Sequence, residues 1–587
     1  MCGITGIINF NLREVTKDQI QKINDSIAHR GPDGEGFYIK GNFAFGHRRL
    51  SIIDINTGKQ PVFNDREDIV ITFNGEIFNY IELRDELKKF GHCFLTQSDT
   101  EVIIKSYEQW GVECLNKFNG MWSFVLYDSI KKIFFGSRDR LGIKPFYYLT
   151  NKDRFVFASE IKAFYQIDSF NKEIDRSVVW DHLVFGAKPY GATYIKEVNE
   201  LEAGSYFLIK DNKIQFKQYY NLENTFENQT DKVDYAKIEY LLNDSIKLRL
   251  RSDVPIATLN SGGLDSSLIS AIVKQQKNDL KTYSIAPCKG ANGETLPGDE
   301  SKFAEYIAAH IKSDHKTLRY SSEEFMQILN DSIYYNDGEL YHSNSVALNI
   351  MFNQIRKDGT IVVMGGEGAD EVFRGYSSNV KLNFANYFGR YPLTKILKRI
   401  NPSKLFLLDI FNDYKKGIAL FSSNFFTPER ADLLMKIKGE IHPDRQKVFD
   451  QIERMKPGNA ITYYDQKVYL SGLLRRIDRS SMKNYIEARV PFLDYRLVEE
   501  LNKIEFHKKS GILHKYDKKI LKKIAQSYIP SEIIYRRKEG FGSPIETYRN
   551  KLTQRISNYY PDFKANNIDE LWMINTIVDY EKQNINK

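Results

Sequence analysis

The sequence predicts a two-part α/β protein: strand layers flanked by helices, followed by a parallel, doubly wound sheet with a mainly helical C-terminal part. The first observation is length, because 587 residues exceed the roughly 100 to 200 residues of an ordinary domain. The second is a change of pattern near Val233, where closely spaced strands give way to strands that alternate with long helices. The third is composition, since 42% hydrophobic and 27% charged residues are typical of a globular protein.

Short segments rich in aromatic and β-branched residues dominate the chain from Met1 to about Asp211. We predict strands at 4–10, 69–73, 122–127 and 155–158. Helices are predicted at 80–90 and 100–110, because apolar residues recur there every three or four positions. This region is therefore expected to form sheet layers with helices on the outside.

The second region alternates strands, glycine turns and helices. Strands are predicted at 254–259, 281–286 and 359–364, with helices from Leu264 and at 299–311. Such alternation indicates a parallel, doubly wound sheet. Beyond about Gly375 the pattern is mainly helical, and the polar stretch 222–232 is a candidate linker. We expect domains at 2–211 and 233–587.

Charge and cysteine content argue against several classes of protein. The net charge of +8 comes from 84 basic and 76 acidic residues scattered along the chain, which favours a solvated surface over a nucleic-acid site. Cys2, Cys93, Cys114 and Cys288 lack the spacing of a disulfide framework or a zinc site. The sequence also lacks the long apolar run of a membrane helix and the layout of a signal peptide. We expect a cytoplasmic protein.

Cys2 is a candidate nucleophile. It follows the initiator methionine, and its small side chain permits removal of Met1. The mature chain would then begin with a thiol and a free α-amine on one residue. Because the pKa of an α-amine is about 8, the amine can take the thiol proton and pass it to a leaving amine.

Several motifs support that interpretation. They are C-G-I-T-G-I at 2–7, H-R-G-P-D-G-E-G at 29–36, R-R-L-S-I-I-D at 48–54, N-G-E-I-F-N-Y at 74–80, S-D-T-E at 98–101, G-M-W-S-F at 120–124 and R-D-R-L-G-I-K-P at 138–145. Together they resemble the class II glutamine amidotransferase domain, an N-terminal-nucleophile fold with αββα layers, over nearly all of residues 2–204. The resemblance implies that Arg49 binds the carboxylate of glutamine, that Glu76 and Asp99 surround its ammonium, and that Asn74 and the Gly75 amide bind the oxyanion.

These residue types suit those roles. Arginine offers a planar fork to a carboxylate, and an asparagine and a glycine amide are neutral donors for an oxyanion. Asn-Gly is also the strongest short signal for a hairpin turn, so Asn74 and Gly75 could form a turn as well as an oxyanion site.

A glycine- and serine-rich segment, L-N-S-G-G-L-D-S-S at 259–267, ends a predicted strand and opens a helix. Its glycines permit close approach of a phosphate, and its serines offer hydroxyl donors beside a helix N-terminus. The residues concerned are Ser261, Gly262, Gly263, Ser266 and Ser267. The segment lacks the Gly-Lys-Ser/Thr of a Walker A loop, and Asp265 is a candidate ligand for Mg²⁺ on pyrophosphate.

The segment resembles the pyrophosphate loop of the ATP pyrophosphatases, which cleave ATP between its α and β phosphates. Matching motifs are G-G-E-G-A-D-E at 365–371, R-V-P-F-L-D at 489–494 and R-R-K-E-G-F at 536–541. The resemblance implies adenosine contacts from Leu259, Ile285, Gly365 and Gly366, neutralisation of pyrophosphate by Lys538, orientation or deprotonation of ammonia by Glu367, and metal positioning by Asp370 and Glu371.

Along almost its whole length the chain resembles the glutamine-dependent asparagine synthetases. The resemblance implies that glutamine is hydrolysed at Cys2 and that ammonia crosses an interior channel to a β-aspartyl adenylate. It also implies ATP and Mg²⁺ as cofactors and small-molecule partners: glutamine, ATP, and aspartate or another carboxylate. From the scattered charge and the lack of a long apolar run we expect neither a nucleic-acid nor a membrane partner, and a homodimer is possible.

The acceptor region departs from the family pattern. N-D-G-E-L-Y-H-S-N-S at 336–345 differs from the acidic D-E-P-F-A-D type, and Gly365 and Ala369 stand where serine is common. Three interpretations stay open: an asparagine synthetase, an amidotransferase for another carboxylate such as a uronic acid, and a catalytically idle relative. Intact Cys2, Asp265 and Lys538 argue against the last.

Aspartate would need an acid and a base close together in the acceptor pocket. Asp337 or Glu339 could supply the acid, and Arg374 or Arg479 the base. A sugar acid would instead use polar partners, which this sequence also offers at His342, Ser343 and Asn344.

Overall fold

The computed structural model describes residues 2–289, 296, 298–340, 342–376, 426–511, 517–537, 545–561 and 563–584. Its strands are β1 (Gly3–Asn9), β2 (Gly34–Lys40), β3 (Phe43–Arg49), β4 (Val62–Phe63), β5 (Ile69–Ile77), β6 (Gly120–Asp128), β7 (Ile133–Arg138), β8 (Tyr147–Thr150), β9 (Arg154–Ala158), β10 (Asn199–Glu200), β11 (Ser205–Lys210), β12 (Lys213–Gln218), β13 (Ile256–Leu259), β14 (Lys281–Pro287), β15 (Asp314–Tyr320), β16 (Val362–Met364) and β17 (Glu487–Arg489).

The helices of the first region are α1 (Lys17–Asp25), α2 (Tyr80–Lys89), α3 (Asp99–Trp110), α4 (Cys114–Lys117) and α5 (Arg176–Phe185). Those of the second region are α6 (Tyr235–Arg249), α7 (Leu264–Gln276), α8 (Ser301–Ile311), α9 (Ser322–Tyr335), α10 (Asn344–Lys357), α11 (Ala369–Phe373), α12 (Pro428–Met435), α13 (Pro443–Ile452), α14 (Pro457–Tyr464), α15 (Leu470–Lys483), α16 (Tyr495–Asn502), α17 (Phe506–Lys509), α18 (Lys519–Ala525), α19 (Ser531–Ile534), α20 (Arg549–Ser557) and α21 (Ile568–Asn584).

Two antiparallel sheets form the first region, with strand orders β10-β8-β9-β1-β3-β2 and β12-β11-β7-β6-β5-β4. Their facing surfaces share an aromatic layer, in which the rings of Phe43 and Phe134 lie 4.9 Å apart, as do those of Phe155 and Phe207. Helices α1 and α5 pack on the first sheet, and α2 and α3 pack on the second. The predicted αββα arrangement is confirmed.

The second sheet continues beyond Asp211, where we expected the first domain to end. Strand β12 pairs with β11 in an antiparallel hairpin, so the sheet extends to Gln218. The segment predicted as a linker then packs against the second region: Thr225 and Phe226 are buried, and Thr230 bridges to Ile504. The segment 222–232 is therefore packed against the second region and is not an exposed linker.

A parallel sheet of order β15-β14-β13-β16-β17 organises the second region. The chain moves outward from β13 to β15 and then returns to β16 on the other side of β13. Ligands bind at such a switch point, beyond the carboxyl ends of the strands. The predicted doubly wound sheet is therefore confirmed, and both glycine turns lie at its switch point.

Strand β17 was not predicted from the sequence. It has three residues, two of them charged, and all are buried. The charges satisfy each other, because Arg489 Nε donates to Glu487 Oε1 over 2.6 Å. Such a strand carries no alternating apolar pattern, so local sequence does not reveal it.

Helix α15 presents three charged side chains to the first region: Arg475, Asp478 and Arg479. Their partners are Glu200 and Glu339 for Arg475, Arg30 for Asp478, and Asp337 and Tyr147 for Arg479. All of these residues are buried. Buried charges are stable only when paired, so this network fixes the position of one region against the other.

Within the described ranges, no helix has both the length and the apolar character needed to span a bilayer.

Replacing Asp478 with alanine should lower the free energy of unfolding by about 3 to 5 kcal/mol, because it leaves the Arg30 guanidinium short of a buried counter-charge. Arg30 Nη1 lies 2.9 Å from Asp478 Oδ2, and both side chains are almost fully buried. Guanidinium unfolding curves measure the change. The control is Glu173→Gln in the exposed Lys196–Glu173 pair, which should leave the curve nearly unchanged. Equal effects of the two variants would contradict the prediction.

Candidate active sites

Cys2 lies buried at the start of β1, beside Asn74 of β5. Its backbone N–H donates to Asn74 Oδ1 over 3.1 Å, and its Sγ lies 3.9 Å from the Leu50 carbonyl oxygen. Burial raises the pKa of the Cys2 thiol, while the charge of Arg49 acts to lower it. Such a thiol needs an adjacent base to become a nucleophile, which is the role expected of the α-amine.

Asn74 and Gly75 lie within β5, paired with Ser123 and Trp122 of β6. The interpretation of Asn-Gly as a hairpin turn is therefore wrong. Gly75 has a φ of +156°, and a Cβ there would clash with the Met121 carbonyl and lie 2.7 Å from the Cα of Trp122. The strand contact requires a glycine, and it places the Gly75 amide next to the fully buried Asn74.

The expected glutamine-binding residues surround this point. Arg49 is held by the carbonyl oxygens of Asp54 and Ile55, at 2.6 and 3.0 Å. Asp99, at the start of α3, accepts from the Ile77 N–H over 2.9 Å. Burial, aided by the charge of Glu487, raises the pKa of Asp99 to about 6.

Glu76 connects this site to the second region. Burial, together with the charges of Glu487 and Asp99, raises the pKa of Glu76 well above its usual value. Its Oε1 lies 3.7 Å from Arg489 Nη2. The edge of the parallel sheet therefore packs directly against the residues around Cys2.

The loop between β13 and α7 has the close backbone packing expected of an anion site. Gly262 has a φ of +73°, and a Cβ there would lie 2.5 Å from the Ala304 backbone nitrogen, so α8 excludes any side chain. The hydroxyls of Ser261 and Ser266 lie 3.0 Å apart at the N-terminus of α7. Backbone amides and hydroxyls are thereby arranged for a phosphate.

Asp265 and Asp370 converge on a single ammonium, that of Lys518. Lys518 Nζ lies 2.6 Å from Asp265 Oδ2 and 2.8 Å from Asp370 Oδ1. Burial acts to lower the pKa of Lys518, but the two carboxylates raise it above its usual value. Two carboxylates that meet at one cation position are the donors that Mg²⁺ prefers, so these residues fit the expected metal.

Across the described part of the chain, histidine, cysteine, aspartate and glutamate side chains do not gather in threes to form a complete metal site. Nucleotide phosphate oxygens would supply the remaining ligands, as is common for Mg²⁺.

A cavity of about 440 Å³ opens at the switch point; we call it the central cavity. The predicted residues that line it are Leu259, Ser261, Gly263, Asp265, Ser266, Ile285, Gly366, Glu367, Asp370 and Glu371. Gly262, Ser267 and Gly365 lie outside its lining, and Ser267 is fully buried in α7. Lys538 lies outside the described residues.

Side chains that were not assigned to the nucleotide also line the central cavity, among them His342, Asn344, Tyr469 and Arg476. Arg476 Nη1 donates to Asn344 Oδ1 over 3.1 Å, and His342 Nε2 lies 3.1 Å from the Tyr469 hydroxyl. Burial, with the nearby charge of Arg476, lowers the pKa of His342 to about 4, so the imidazole is neutral at pH 7.

The prediction of which acidic and basic residues would bind aspartate is wrong. Asp337 and Glu339 pair with Arg479 and Arg475 at the contact between the two regions. Arg374 pairs with Asp465 at 3.0 Å. None of these side chains lines the central cavity. Their charges are paired outside the cavity, and the arginines of the described residues that line it are Arg476 and Arg536.

Comparison with known proteins places this geometry in a family. A model described as a glutamine amidotransferase domain matches residues 1–220, and one described as asparagine synthase matches residues 237–566, more than half of the chain. The chain belongs to the asparagine synthase family.

Named members of this family are similar over most of their length. Asparagine synthetase (glutamine-hydrolyzing) 1 of Bacillus subtilis is 31% identical over 95% of this chain and 89% of its own. Putative asparagine synthetase (glutamine-hydrolyzing) 2 of Methanocaldococcus jannaschii is 32% identical over 84% of this chain and 100% of its own. Asparagine synthetase B (glutamine-hydrolyzing) of Escherichia coli is 28% identical over 95% of this chain and 86% of its own.

Sequence reasoning missed Lys518 and Arg476. Lys518 lies in the lysine-rich run 518–523, where sequence does not show which ammonium turns inward. Arg476 carried a usable signal: Tyr469, Leu473 and Arg476 are spaced four and three apart, as on one helix face. All three line the central cavity.

The efficiency of glutamine hydrolysis should fall as pH drops through about 6, by about tenfold per pH unit below it. The pKa of Asp99 is raised to about 6, and we expect its carboxyl to bind the ammonium of glutamine only when it is charged, hence only above that pH. In Asp99→Asn, kcat/KM should be low at pH 8 and lose this acidic limb. Glutamate release from pH 5 to 8.5 measures the profile. An acidic limb that persists in the variant would contradict the role of Asp99.

Lys518→Met should raise the affinity for Mn²⁺ without nucleotide by about tenfold or more, because it removes the cation that competes for Asp265 and Asp370. Calorimetric or paramagnetic titration measures the affinity. The neighbouring Lys519→Met is the control and should behave as wild type. Adding Asp370→Asn to Lys518→Met should cancel the gain, and equal affinities in all variants would exclude a metal site here.

Proposed function

We propose that this protein is a glutamine-hydrolysing asparagine synthetase, which converts ATP, L-aspartate, L-glutamine and water to AMP, diphosphate, L-asparagine and L-glutamate. The observation that carries the proposal is the position of α15. Its Asp478 binds Arg30, whose Nε donates to the Cys2 carbonyl over 3.1 Å. Two residues earlier, Arg476 lines the central cavity. Helix α15 therefore contacts both the residues around Cys2 and the central cavity beside the loop at 259–267.

In the glutaminase step, the Cys2 thiolate attacks the carboxamide of glutamine. The α-amine of Cys2, freed when Met1 is removed, accepts the thiol proton and donates it to the departing ammonia. Asn74 and the Gly75 amide stabilise the oxyanion, and Arg49 orients the substrate carboxylate. Water then hydrolyses the thioester to glutamate. We assign this step to residues 2–211 together with β12.

In the synthetase step, assigned to residues 233–587, the β-carboxylate of aspartate attacks the α-phosphorus of ATP and pyrophosphate leaves. The loop at Ser261 and Gly263 holds the phosphates, and Lys518 and Lys538 offset their charge. Asp265 and Asp370 would hold Mg²⁺, which neutralises charge on the leaving pyrophosphate.

Glu367 is the proposed base toward ammonia. It lines the central cavity, and burial, with the charge of Asp265, raises its pKa above the usual range. A carboxylate with a raised pKa can take a proton from the attacking ammonia near neutral pH. Ammonia then displaces AMP from the acyl carbon.

Ammonia is proposed to travel inside the protein. In support, the sheet edge at Arg489 packs on Glu76, and Asp478 of α15 binds Arg30, which contacts the Cys2 carbonyl. A dry route protects ammonia from protonation and the adenylate from water. We propose a cytoplasmic location, because a reducing compartment keeps Cys2 as a thiol.

A second candidate acceptor is a uronic acid. His342, Asn344 and Tyr469 offer neutral hydrogen-bonding groups in the central cavity, which suit the hydroxyls of a sugar. Under this alternative, both half-reactions keep the same residues and only the acceptor changes.

In Cys2→Ala, glutamine-dependent asparagine formation should fall to background while ammonium-dependent formation persists, because the synthetase step needs only ammonia. The assay supplies ATP, Mg²⁺ and L-aspartate with either glutamine or ammonium chloride, and quantifies asparagine, AMP and pyrophosphate. Mass spectrometry of the wild-type chain should find Met1 removed.

The matched control is Cys93→Ala, since Cys93 is exposed and should leave both activities unchanged. Retained glutaminase activity in Cys2→Ala would overturn the nucleophile. Release of ADP and phosphate, in place of AMP and pyrophosphate, would overturn the adenylate route.

A further inference from the structure

One residue of the second region, Asp253, makes two hydrogen bonds to the loop that follows β3 in the first region. Asp253 lies in the segment that leads into β13, which begins at Ile256. Its backbone N–H donates to the Ile52 carbonyl oxygen over 2.9 Å, and its Oδ2 accepts from the Asp54 N–H over 2.8 Å. The two contacts lie on either side of Ile53, so Asp253 holds both ends of one short piece of backbone.

Asp54 in turn directs the guanidinium of Arg49. The φ of Asp54 is +53°, in the left-handed region that aspartate adopts more readily than most residues. The Asp54 carbonyl oxygen accepts from Arg49 Nη2 over 2.6 Å, and the Ile55 carbonyl oxygen accepts from Arg49 Nη1 over 3.0 Å. The backbone of this loop therefore decides where the planar fork of Arg49 points.

Other contacts of the loop converge on Asp54 as well. Its carbonyl oxygen accepts from the Gly58 N–H over 3.0 Å, and its carboxylate accepts from the N–H groups of Thr57 and Gln97 at 2.9 and 2.7 Å. A Cβ at Gly58 would lie 2.8 Å from Arg49 Nη2, so the loop packs closely against the guanidinium. The hydrogen bond to Asp253 joins this set of contacts from the second region.

The contact with Asp253 is suited to a positioning role. A two-point pair between a guanidinium and a carboxylate depends on the orientation of both groups, so a small rotation of Arg49 weakens it. A hydrogen bond to an ionised acceptor such as the Asp253 carboxylate contributes more than one between neutral groups. The Asp253 side chain is exposed, so its removal leaves no gap in a hydrophobic core.

We propose that Asp253 is a positioning residue of the glutamine site, which keeps Arg49 oriented toward the α-carboxylate of glutamine by holding the backbone at Ile52 and Asp54. This inference rests on the proposed glutaminase step and adds to it a residue of the second region. Asp253 acts through Asp54 and Arg49 and does not touch the substrate. Because the α-carboxylate takes no part in bond breaking, glutamine and the transition state lose the same contact when Arg49 is misplaced. The effect therefore falls on KM and not on kcat.

The test measures two activities of Asp253→Ala. Glutamate release should show a KM for glutamine that is raised about fivefold to tenfold, with kcat changed by less than about twofold. Ammonium-dependent pyrophosphate release, measured with the carboxylate acceptor that wild type uses, should stay at the wild-type rate. It also reports that the variant is folded. A change just before β13 would thus impair glutamine binding and spare the synthetase step.

Three further variants separate this role from a general effect on the contact between the regions. Asp253→Asn keeps an oxygen acceptor for the Asp54 N–H and should restore part of the lost affinity. Glu82→Gln weakens the neighbouring contact of Glu82 with Arg251, which does not reach the loop around Arg49, and should leave the KM for glutamine unchanged. Adding Asp253→Ala to Arg49→Met should have no further effect on kcat/KM for glutamine, because the guanidinium that Asp253 orients is gone.

The inference is overturned if Asp253→Ala leaves the KM for glutamine unchanged or slows ammonium-dependent pyrophosphate release to the same extent. It is also overturned if Asp253→Asn is as defective as Asp253→Ala, if Glu82→Gln raises KM equally, or if the effect of Asp253→Ala adds in full to that of Arg49→Met. Absence of glutamine hydrolysis in the wild-type protein would instead overturn the proposed function itself.

Discussion

The buried contact between Arg30 and Asp478 is the interaction on which the arrangement of the two regions depends. Arg30 also binds Glu160 and the carbonyl of Cys2, so one guanidinium connects Cys2 to the second region. Charges removed from water tolerate little displacement, because each loses its partner when the geometry changes. The contact therefore fixes where Cys2 lies relative to the parallel sheet, and the proposed transfer of ammonia between the two sites requires that fixed relation.

Helix α15 serves both regions because its faces carry different chemistry. Arg475, Asp478 and Arg479 lie at spacings of three and four residues and meet the first region. Arg476, one position along, is turned by roughly 100° and meets the central cavity. Adjacent arginines thus have different surroundings: Arg475 is paired at the interface, and Arg476 lines the central cavity. Any movement of this helix would alter both sites together.

Two positively charged side chains of the central cavity, Lys518 and Arg476, have different partners. Lys518 lies between Asp265 and Asp370, and its ammonium balances the charge of both carboxylates. A divalent cation could bind the same two carboxylates in place of the ammonium. Arg476 has a neutral partner in Asn344 and lines the central cavity. Glu367, in the same cavity, keeps a raised pKa through burial, which suits the base proposed for ammonia. Burial, more than any single contact, sets the chemistry of this cavity.

The sequence by itself was sufficient to predict the fold class of each region and the positions of the two glycine turns. It was also sufficient to select Cys2, Asp265 and Asp370 as candidate site residues. These features depend on local pattern, since strand periodicity and glycine turns are encoded within a few residues. Only the tertiary structure decided that β17 joins the parallel sheet and that Asn74 lies within a strand. It also decided that Asp337 and Glu339 pair with arginines at the interface while Arg476 and Lys518 line the central cavity. A charged side chain looks the same in sequence whether it is paired at an interface or faces a cavity, because its role depends on neighbours that are distant along the chain.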